Sequence, residues 1–117
     1  MIVIGELING MYKDVGKAIA NRETDVIQHL AEEQVRSGAN VLDVNTGPYS
    51  KDPLDDMKWL VESIQKAVNV PLSLDSTRSD VIEVGLKLAK QRAIINSTSA
   101  DEDKMTEMFS LAKRYNA

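Results

Sequence analysis

The sequence predicts an α/β fold made of four consecutive strand–helix units with parallel strands. Short apolar segments of strand length recur roughly every 30 residues, and each is followed by a stretch whose apolar residues have helical spacing. Because the connections are short, each strand must reach the next through a helix. Such crossovers make neighbouring strands parallel and are right-handed.

The first unit begins with a predicted strand over residues 2–6 that ends in Glu6. Residues 13–22 have a weak helical pattern interrupted by Gly16, so we expect a loop there with at most one helical turn. A firm helix is predicted over 24–37, with its first residue, a threonine, as the N-cap and a glycine directly after its end.

The second unit has a strand over 40–45 and a helix whose start is well marked. Asp52 is an N-cap residue, and Pro53 occupies the first helical position, where its missing N–H costs nothing. Apolar residues then recur at helical spacing through 54–68. Trp59 falls beside this apolar stripe and is expected to pack rather than to bind a ligand.

The third and fourth units follow the same plan. A strand over 71–75 precedes a helix over 79–90, inside which Gly85 suggests close approach to a neighbouring backbone. The fourth strand covers 93–96, and residues 99–102 form a capping box that opens the last helix. In that helix four apolar residues are expected to face inward: Met105, Met108, Phe109 and Ala112.

Polar side chains at the ends of the strands favour one architecture over another. Four such units fit either a doubly wound sheet or the N-terminal half of a (β/α)8 TIM barrel. A doubly wound sheet needs strands that are apolar on both faces, whereas each strand here ends in an acid or an amide on one face, as barrel enzymes do at the mouth that holds their sites. These residues are Glu6, Asp43, Asn45, Asp75 and Asn96.

The length sets a further expectation about this barrel. A complete barrel needs about 250 residues, and this chain has 117. A half-barrel exposes two open sheet edges and half of its interior. We therefore expect residues 1–117 to be one partial barrel domain, either a piece of a longer protein or a half that pairs with another chain.

The polar residues have two possible explanations. Asp and Asn often end strands simply because they cap helices or turn the chain, and for any single one this explanation is as good as ligand binding. Several carboxylates in one mouth, however, imply a ligand rich in N–H groups or tightly bound waters. A planar heterocycle could donate two parallel N–H bonds to Asp75, while Asn96 reads a mixed donor and acceptor edge.

Composition and motifs exclude several other functions. A net charge of −4 without clustered Lys or Arg argues against nucleic acid, and no apolar run approaches the roughly 20 residues that span a membrane. The chain has no cysteine, so it holds neither disulfides nor an iron–sulfur cluster, and we expect a cytoplasmic location. It also lacks a phosphate-binding glycine loop and a histidine beside Ser76 or Ser97.

Two polar features are expected to be unremarkable. His29, the single histidine, lies on the polar face of its helix and is expected to be a solvated surface residue. A Mg²⁺ or Mn²⁺ site made from Glu6, Asp43 and Asp75 is conceivable, but the absence of a metal site is the favoured prediction.

Four segments together resemble a known family, the methyltetrahydrofolate:corrinoid/iron–sulfur protein methyltransferases. With the dihydropteroate synthases, these belong to the pterin-binding TIM barrels. The resemblance covers the whole chain in order, but only the N-terminal half of the family's barrel. The segments are IGELING at 4–10, LDVNTGP at 42–48, LDST at 74–77 and INST at 95–98.

The resemblance implies a site and a reaction. Asp75 and Asn96 would hydrogen-bond the pterin ring, with polar support at the same mouth from Asn9, Asp43 and Asn45, while Glu6 matches the family's acid after the first strand. The implied reaction moves a methyl group between N5 of methyltetrahydrofolate, the substrate, and the cobalt of a corrinoid (cobalamin) carried by a partner protein. A homo-oligomer, such as a dimer, is expected.

The resemblance is incomplete in two respects. The family's N5-contacting asparagine and a further pterin-binding acid come from later strands, so the catalytic residue is expected outside this chain, which alone should be inactive. Leu7 stands where much of the family has arginine, which leaves the role of Glu6 open. The alternatives are a dihydropteroate synthase, disfavoured by Gly10-Met11-Tyr12 after Asn9, and a non-catalytic pterin-binding or assembly half-barrel.

Overall fold

The computed structural model describes residues 1–97 and 102–117 and consists of four parallel strands alternating with helices. The strands are short and the helices longer, with two helices between the first and second strands. In chain order the elements are β1 (Ile4–Asn9), α1 (Lys13–Ala20), α2 (Thr24–Arg36), β2 (Val41–Asn45), α3 (Pro53–Ala67), β3 (Leu72–Asp75), α4 (Ser79–Leu88), β4 (Ile94–Asn96) and α5 (Glu102–Tyr115).

The order of the strands confirms the predicted fold class. They lie side by side as β1-β2-β3-β4, and every neighbouring pair is parallel. A doubly wound sheet reverses the direction in which strands are added, whereas a barrel adds each new strand beside the last. The arrangement is therefore that of the N-terminal half of a (β/α)8 barrel.

The two faces of the sheet have different environments. On the outer face Leu42, Val44, Leu72 and Leu74 are almost completely buried beneath the helices, where Met57, Leu60 and Ile64 of α3 also lie. Burial of these side chains supplies most of the stabilisation, at roughly 25 cal/mol per Å² of apolar surface. The acids and amides at the strand ends lie on the opposite, inner face.

Gly85 allows α4 to pack closely on β3, although not in the way that the sequence suggests. A Cβ at this position would lie 2.8 Å from Cδ1 of Leu74, so the close neighbour is a core side chain rather than the expected backbone. Any larger residue would push α4 away from the sheet.

The segment predicted as a loop at 13–22 is in fact a helix, α1. Its Val15, Ala18 and Ile19 are buried, and this tertiary burial outweighs the weak local pattern. Gly16 is not a helix breaker here: a Cβ would lie 2.7 Å from the Gly10 carbonyl oxygen, so the glycine lets α1 approach the chain that leaves β1.

Helix boundaries were otherwise predicted to within a few residues. The Asp52 side chain accepts a hydrogen bond from Asp55 N at 3.2 Å, which confirms the cap of α3. The N-cap of α2 is Glu23 rather than Thr24, and Gly38 follows that helix with φ +110°, as its predicted role requires. Only part of the predicted capping box at 99–102 lies within the described residues.

Both open edges of the sheet expose apolar side chains. Beside β4, the expectation that Met105 and Phe109 face inward is wrong: they are 42% and 69% exposed, whereas Met108 and Leu111 are buried. They border a groove of about 700 Å³ that also contains Ile94. Ile2, Val3 and Ile4 are likewise exposed at the β1 edge, so each edge presents a surface suited to further packing. Within the described residues, no helix has both the length and the apolar character needed to cross a bilayer.

Candidate functional site

Three neighbouring strands bring four predicted site residues together at their carboxyl ends. Asp43 and Asn45 come from β2, Asp75 is the last residue of β3, and Asn96 is the last residue of β4. Asp75 and Asn96 are direct partners in the parallel register, and Asp43 pairs with Ser73, two residues before Asp75. We call these four residues, Asp43, Asn45, Asp75 and Asn96, the mouth cluster.

The mouth cluster is held by its own hydrogen bonds. Asn96 Nδ2 donates to Asp43 Oδ1 at 3.2 Å. Asp75 lies within hydrogen-bonding reach of both Asp43 and the Asn45 amide. A hydrogen bond between two carboxyl groups needs a proton on one of them, so the pair carries a single negative charge when that bond is made.

Asp75 is the most strongly perturbed acid of the cluster. Burial, the negative charge of Asp43 and their shared hydrogen bond raise its pKa from the ordinary 3.8 to about 6, with a smaller contribution from the charge of Glu6. The hydrogen bond from Asn45 acts in the opposite direction. A partly buried carboxyl group whose pKa lies near neutrality is typical of a functional site.

This pKa predicts a pH dependence of stability. The folded protein binds the Asp75 proton more tightly than the unfolded chain, so ionisation disfavours folding and stability falls as the pH rises from about 4 to about 6. Because Asp75 is partly exposed, we expect a loss of about 1 kcal/mol rather than the full value of the shift. Urea unfolding at pH 4.5 and 7.5 measures it, with Asp75→Asn as the reference in which this contribution is absent. An equal pH response in both proteins would contradict the prediction.

The other two predicted site residues lie on β1 and are less closely connected to the mouth cluster. Glu6 is exposed and acts on Asp75 through its charge. Asn9 pairs with Asn45 in the register of the sheet, but its Oδ1 accepts a hydrogen bond from Met11 N at 2.9 Å. Asn45 Oδ1 likewise accepts from Gly47 N at 2.8 Å. Both asparagines thus shape the turns after their strands, as the simpler explanation expects, and Asn45 also reaches Asp75.

Two glycines lock these turns together, a feature that the sequence analysis missed. Gly10 N donates to Asn45 O at 3.0 Å, and a Cβ on Gly10 would collide with the Thr46 carbonyl oxygen. Gly47 has φ +85°, and a Cβ there would lie 2.6 Å from Gly10 Cα. The backbones after β1 and β2 therefore touch, which fixes the rim around the mouth cluster. The presence of a glycine in the turn after each of these two adjacent strands was the signal in the sequence that could have revealed this contact.

The comparison with protein families bears directly on this site. The model of the family described as "Pterin binding enzyme" matches residues 13–117, which include the whole mouth cluster. The chain belongs to the pterin binding enzymes. β1, with Glu6 and Asn9, precedes the matched segment.

Curated relatives of this chain are much longer than it is. It is 33% identical over 111 residues to the methylcorrinoid:tetrahydrofolate methyltransferase of Eubacterium limosum, an alignment that covers 95% of this chain and 41% of the relative. It is 30% identical over 103 residues to the methionine synthase of Mycobacterium tuberculosis, covering 87% of the chain and 9% of that protein. The methionine synthase of Mycobacterium leprae is 28% identical over a stretch of the same length, 8% of its own chain.

A second pocket lies beside a network of ion pairs. It measures about 670 Å³ and is bordered by α1 and the loop before α3. Arg22 pairs there with Asp55 at 2.7 Å and Asp56 at 2.8 Å and lies 5.0 Å from the centre of the Trp59 ring. This network ties α3 to the chain after α1, and it confirms that Trp59 packs.

His29 lies on the surface of α2, where Nε2 contacts Glu33 Oε1 at 3.0 Å. In residues 1–97 and 102–117, no group of three or more His, Asp or Glu side chains is arranged to hold a metal ion.

Proposed function

We propose that the mouth cluster binds the pterin ring of methyltetrahydrofolate. The observation that carries this proposal is the position of Asp75, a half-buried carboxyl group at a strand end with a raised pKa, in a chain of the pterin-binding family. The pyrimidine edge of a pterin offers an amino group and a ring N–H side by side. Ionised Asp75 accepts both, at about 1.5–3 kcal/mol for each charge-assisted bond.

The neighbours of Asp75 suit this role. The Asn45 amide favours the ionised form of the carboxylate, while Asp43 accepts a hydrogen bond from Asn96. One N–H of Asn96 is used by Asp43, so its carbonyl oxygen and second N–H can meet a ligand edge that both donates and accepts. Three acids in the mouth favour a ligand that brings hydrogen-bond donors and no negative charge to this end.

We further propose that the chain is the first half of a methyltransferase barrel. The full protein would move a methyl group between N5 of methyltetrahydrofolate and the corrinoid of a partner protein. The name of the Eubacterium limosum relative supports this reaction, because it joins a methylcorrinoid with tetrahydrofolate. The corrinoid cobalt supplies the methyl donor or the nucleophile; residues of this chain are assigned only to holding the folate.

The N5 atom requires help that this half does not supply. A tertiary amine is a poor leaving group, so N5 must gain a proton or a strong hydrogen bond as the methyl group leaves. The mouth cluster contacts the opposite edge of the ring in the proposed pose. Residues 1–117 would therefore bind the pterin without completing the transfer, and the group at N5 would come from later strands or from another chain.

Calorimetric titration tests the proposal directly. Methyltetrahydrofolate is expected to bind at pH 7.5, while p-aminobenzoylglutamate, which lacks the pterin, is not. Binding should weaken at pH 5.5, where protonated Asp75 no longer accepts two hydrogen bonds. Equal affinity for the two ligands, or an affinity that does not change between these pH values, would overturn the assignment.

A further inference from the structure

β1 contains an irregularity beside the mouth cluster. Ile4 and Gly5 pair with Val41 and Leu42, but farther along Ile8 pairs with Val44 and Asn9 with Asn45. Two residues of β1, Glu6 and Leu7, thus stand opposite the single Asp43, which is a β-bulge with Leu7 as the extra residue.

The bulge decides which side chains reach the mouth. Side chains alternate between the faces of a regular strand, so Glu6 and Asn9, three positions apart, would lie on opposite faces. With one extra residue, Glu6 shares the face of Asp43 and Asn9 shares that of Asn45. Ile8 meanwhile keeps its place in the core, where it is completely buried.

A buried glutamine on α2 holds the bulge. Gln34 Oε1 accepts a hydrogen bond from Leu7 N at 3.1 Å, which satisfies the amide of the extra residue. Gln34 is only 7% exposed. Gly5 makes the approach possible, because a Cβ there would lie 2.9 Å from Gln34 Cδ.

Gln34 is poorly suited to a role in stability alone. Within the described part of the chain, its Nε2 is buried with no hydrogen-bond partner. An orphaned buried amide costs free energy, whereas an apolar side chain would avoid that cost but leave the Leu7 N–H without its acceptor. The side-chain oxygen that accepts the hydrogen bond from Leu7 N is therefore the property that distinguishes glutamine from leucine at this position.

We propose that Gln34 is a positioning residue for the folate site, acting through the bulge at Leu7 to place Glu6 and Asn9 on the ligand face. The inference rests on the proposed function for the identity of the ligand. Gln34 touches no member of the mouth cluster through the hydrogen bonds that the structure describes. Its effect passes through the backbone of β1.

Two substitutions at position 34 separate positioning from packing. Gln34→Leu removes the orphaned amide but also the acceptor of the Leu7 N–H, so the two effects on stability oppose each other and the melting temperature should change little, while methyltetrahydrofolate affinity falls about tenfold. Gln34→Glu keeps an acceptor oxygen, so affinity should recover although the buried acid lowers the melting temperature. A purely structural role would make affinity follow melting temperature in both variants.

Amide exchange and backbone nuclear Overhauser effects report on the bulge in the absence of a ligand. In Gln34→Leu the Leu7 amide should exchange at least tenfold faster, and the pairing of Asn9 with Asn45 should be lost or shifted. Gln28→Leu is the matched control, because Gln28 lies on the same helix and donates to Ser63 O at 3.0 Å, away from the bulge. It should change neither quantity.

The outcomes distinguish this inference from the proposed function. If the wild-type chain does not bind methyltetrahydrofolate, the proposed function fails, and the exchange and pairing data still decide whether Gln34 places Asn9. Unchanged Leu7 exchange or unchanged Asn9 pairing in Gln34→Leu overturns the inference. So does wild-type folate affinity in that variant.

Discussion

Replacement of Asp75 by asparagine is expected to weaken methyltetrahydrofolate binding by about 100-fold or more, because two charge-assisted hydrogen bonds to the pterin are lost or inverted. The same change removes an acid whose ionisation is disfavoured in the folded state, so the protein should be at least as stable at pH 7.5 as the wild type. Calorimetry gives the affinity and urea unfolding gives the stability. Loss of binding with retained stability is the signature of a site residue.

Asp25 provides the control for this experiment. It is an exposed acid in the first turn of α2, outside the mouth cluster, and Asp25→Asn should leave folate affinity unchanged. If Asp75→Asn bound folate as tightly as Asp25→Asn, the pterin would not contact Asp75. The mouth cluster would then be a structural network only.

Gly47→Ala is expected to cost about 2–4 kcal/mol of unfolding free energy. Part of this is the strain of an L-residue in the left-handed region at φ +85°, and part is the collision of Cβ with the backbone of Gly10. The turns after β1 and β2 would separate, so folate affinity should fall together with stability. Urea unfolding measures the loss.

Gly38→Ala separates the conformational strain from the collision of Cβ with a neighbouring backbone. Gly38 also has positive φ, +110°, but a Cβ there would meet no atom within 4 Å. Its cost should be only the conformational strain, about 1 kcal/mol, with no effect on binding. Similar losses in the two variants would mean that the rim contact between Gly47 and Gly10 adds nothing.

The sequence predicts the layout of this protein well where local signals and burial agree. Asp52-Pro53 fixes the start of α3, and the polar ends of β2, β3 and β4 indicate which face of each strand carries the mouth cluster. The alternation of side chains along a strand predicts the faces of these residues correctly, because the three strands pair without irregularity.

Sequence reasoning fails where tertiary contacts decide. The helical pattern of α1 is weak, yet burial of Val15, Ala18 and Ile19 stabilises the helix. At the bulge, Leu7 N donates a hydrogen bond to a side chain 27 residues away, which no local pattern reveals. Phe109 has the spacing of a core residue but lies at an open edge, where it is 69% exposed among the described residues.

The strand order has a consequence for how the site forms during synthesis. Each strand pairs with the one made just before it, and the mouth cluster is complete once residue 96 has been added. A nascent chain leaving the ribosome could thus assemble the carboxylates and amides in the order of translation. The carboxylates and amides would therefore come together without waiting for α5 to be made.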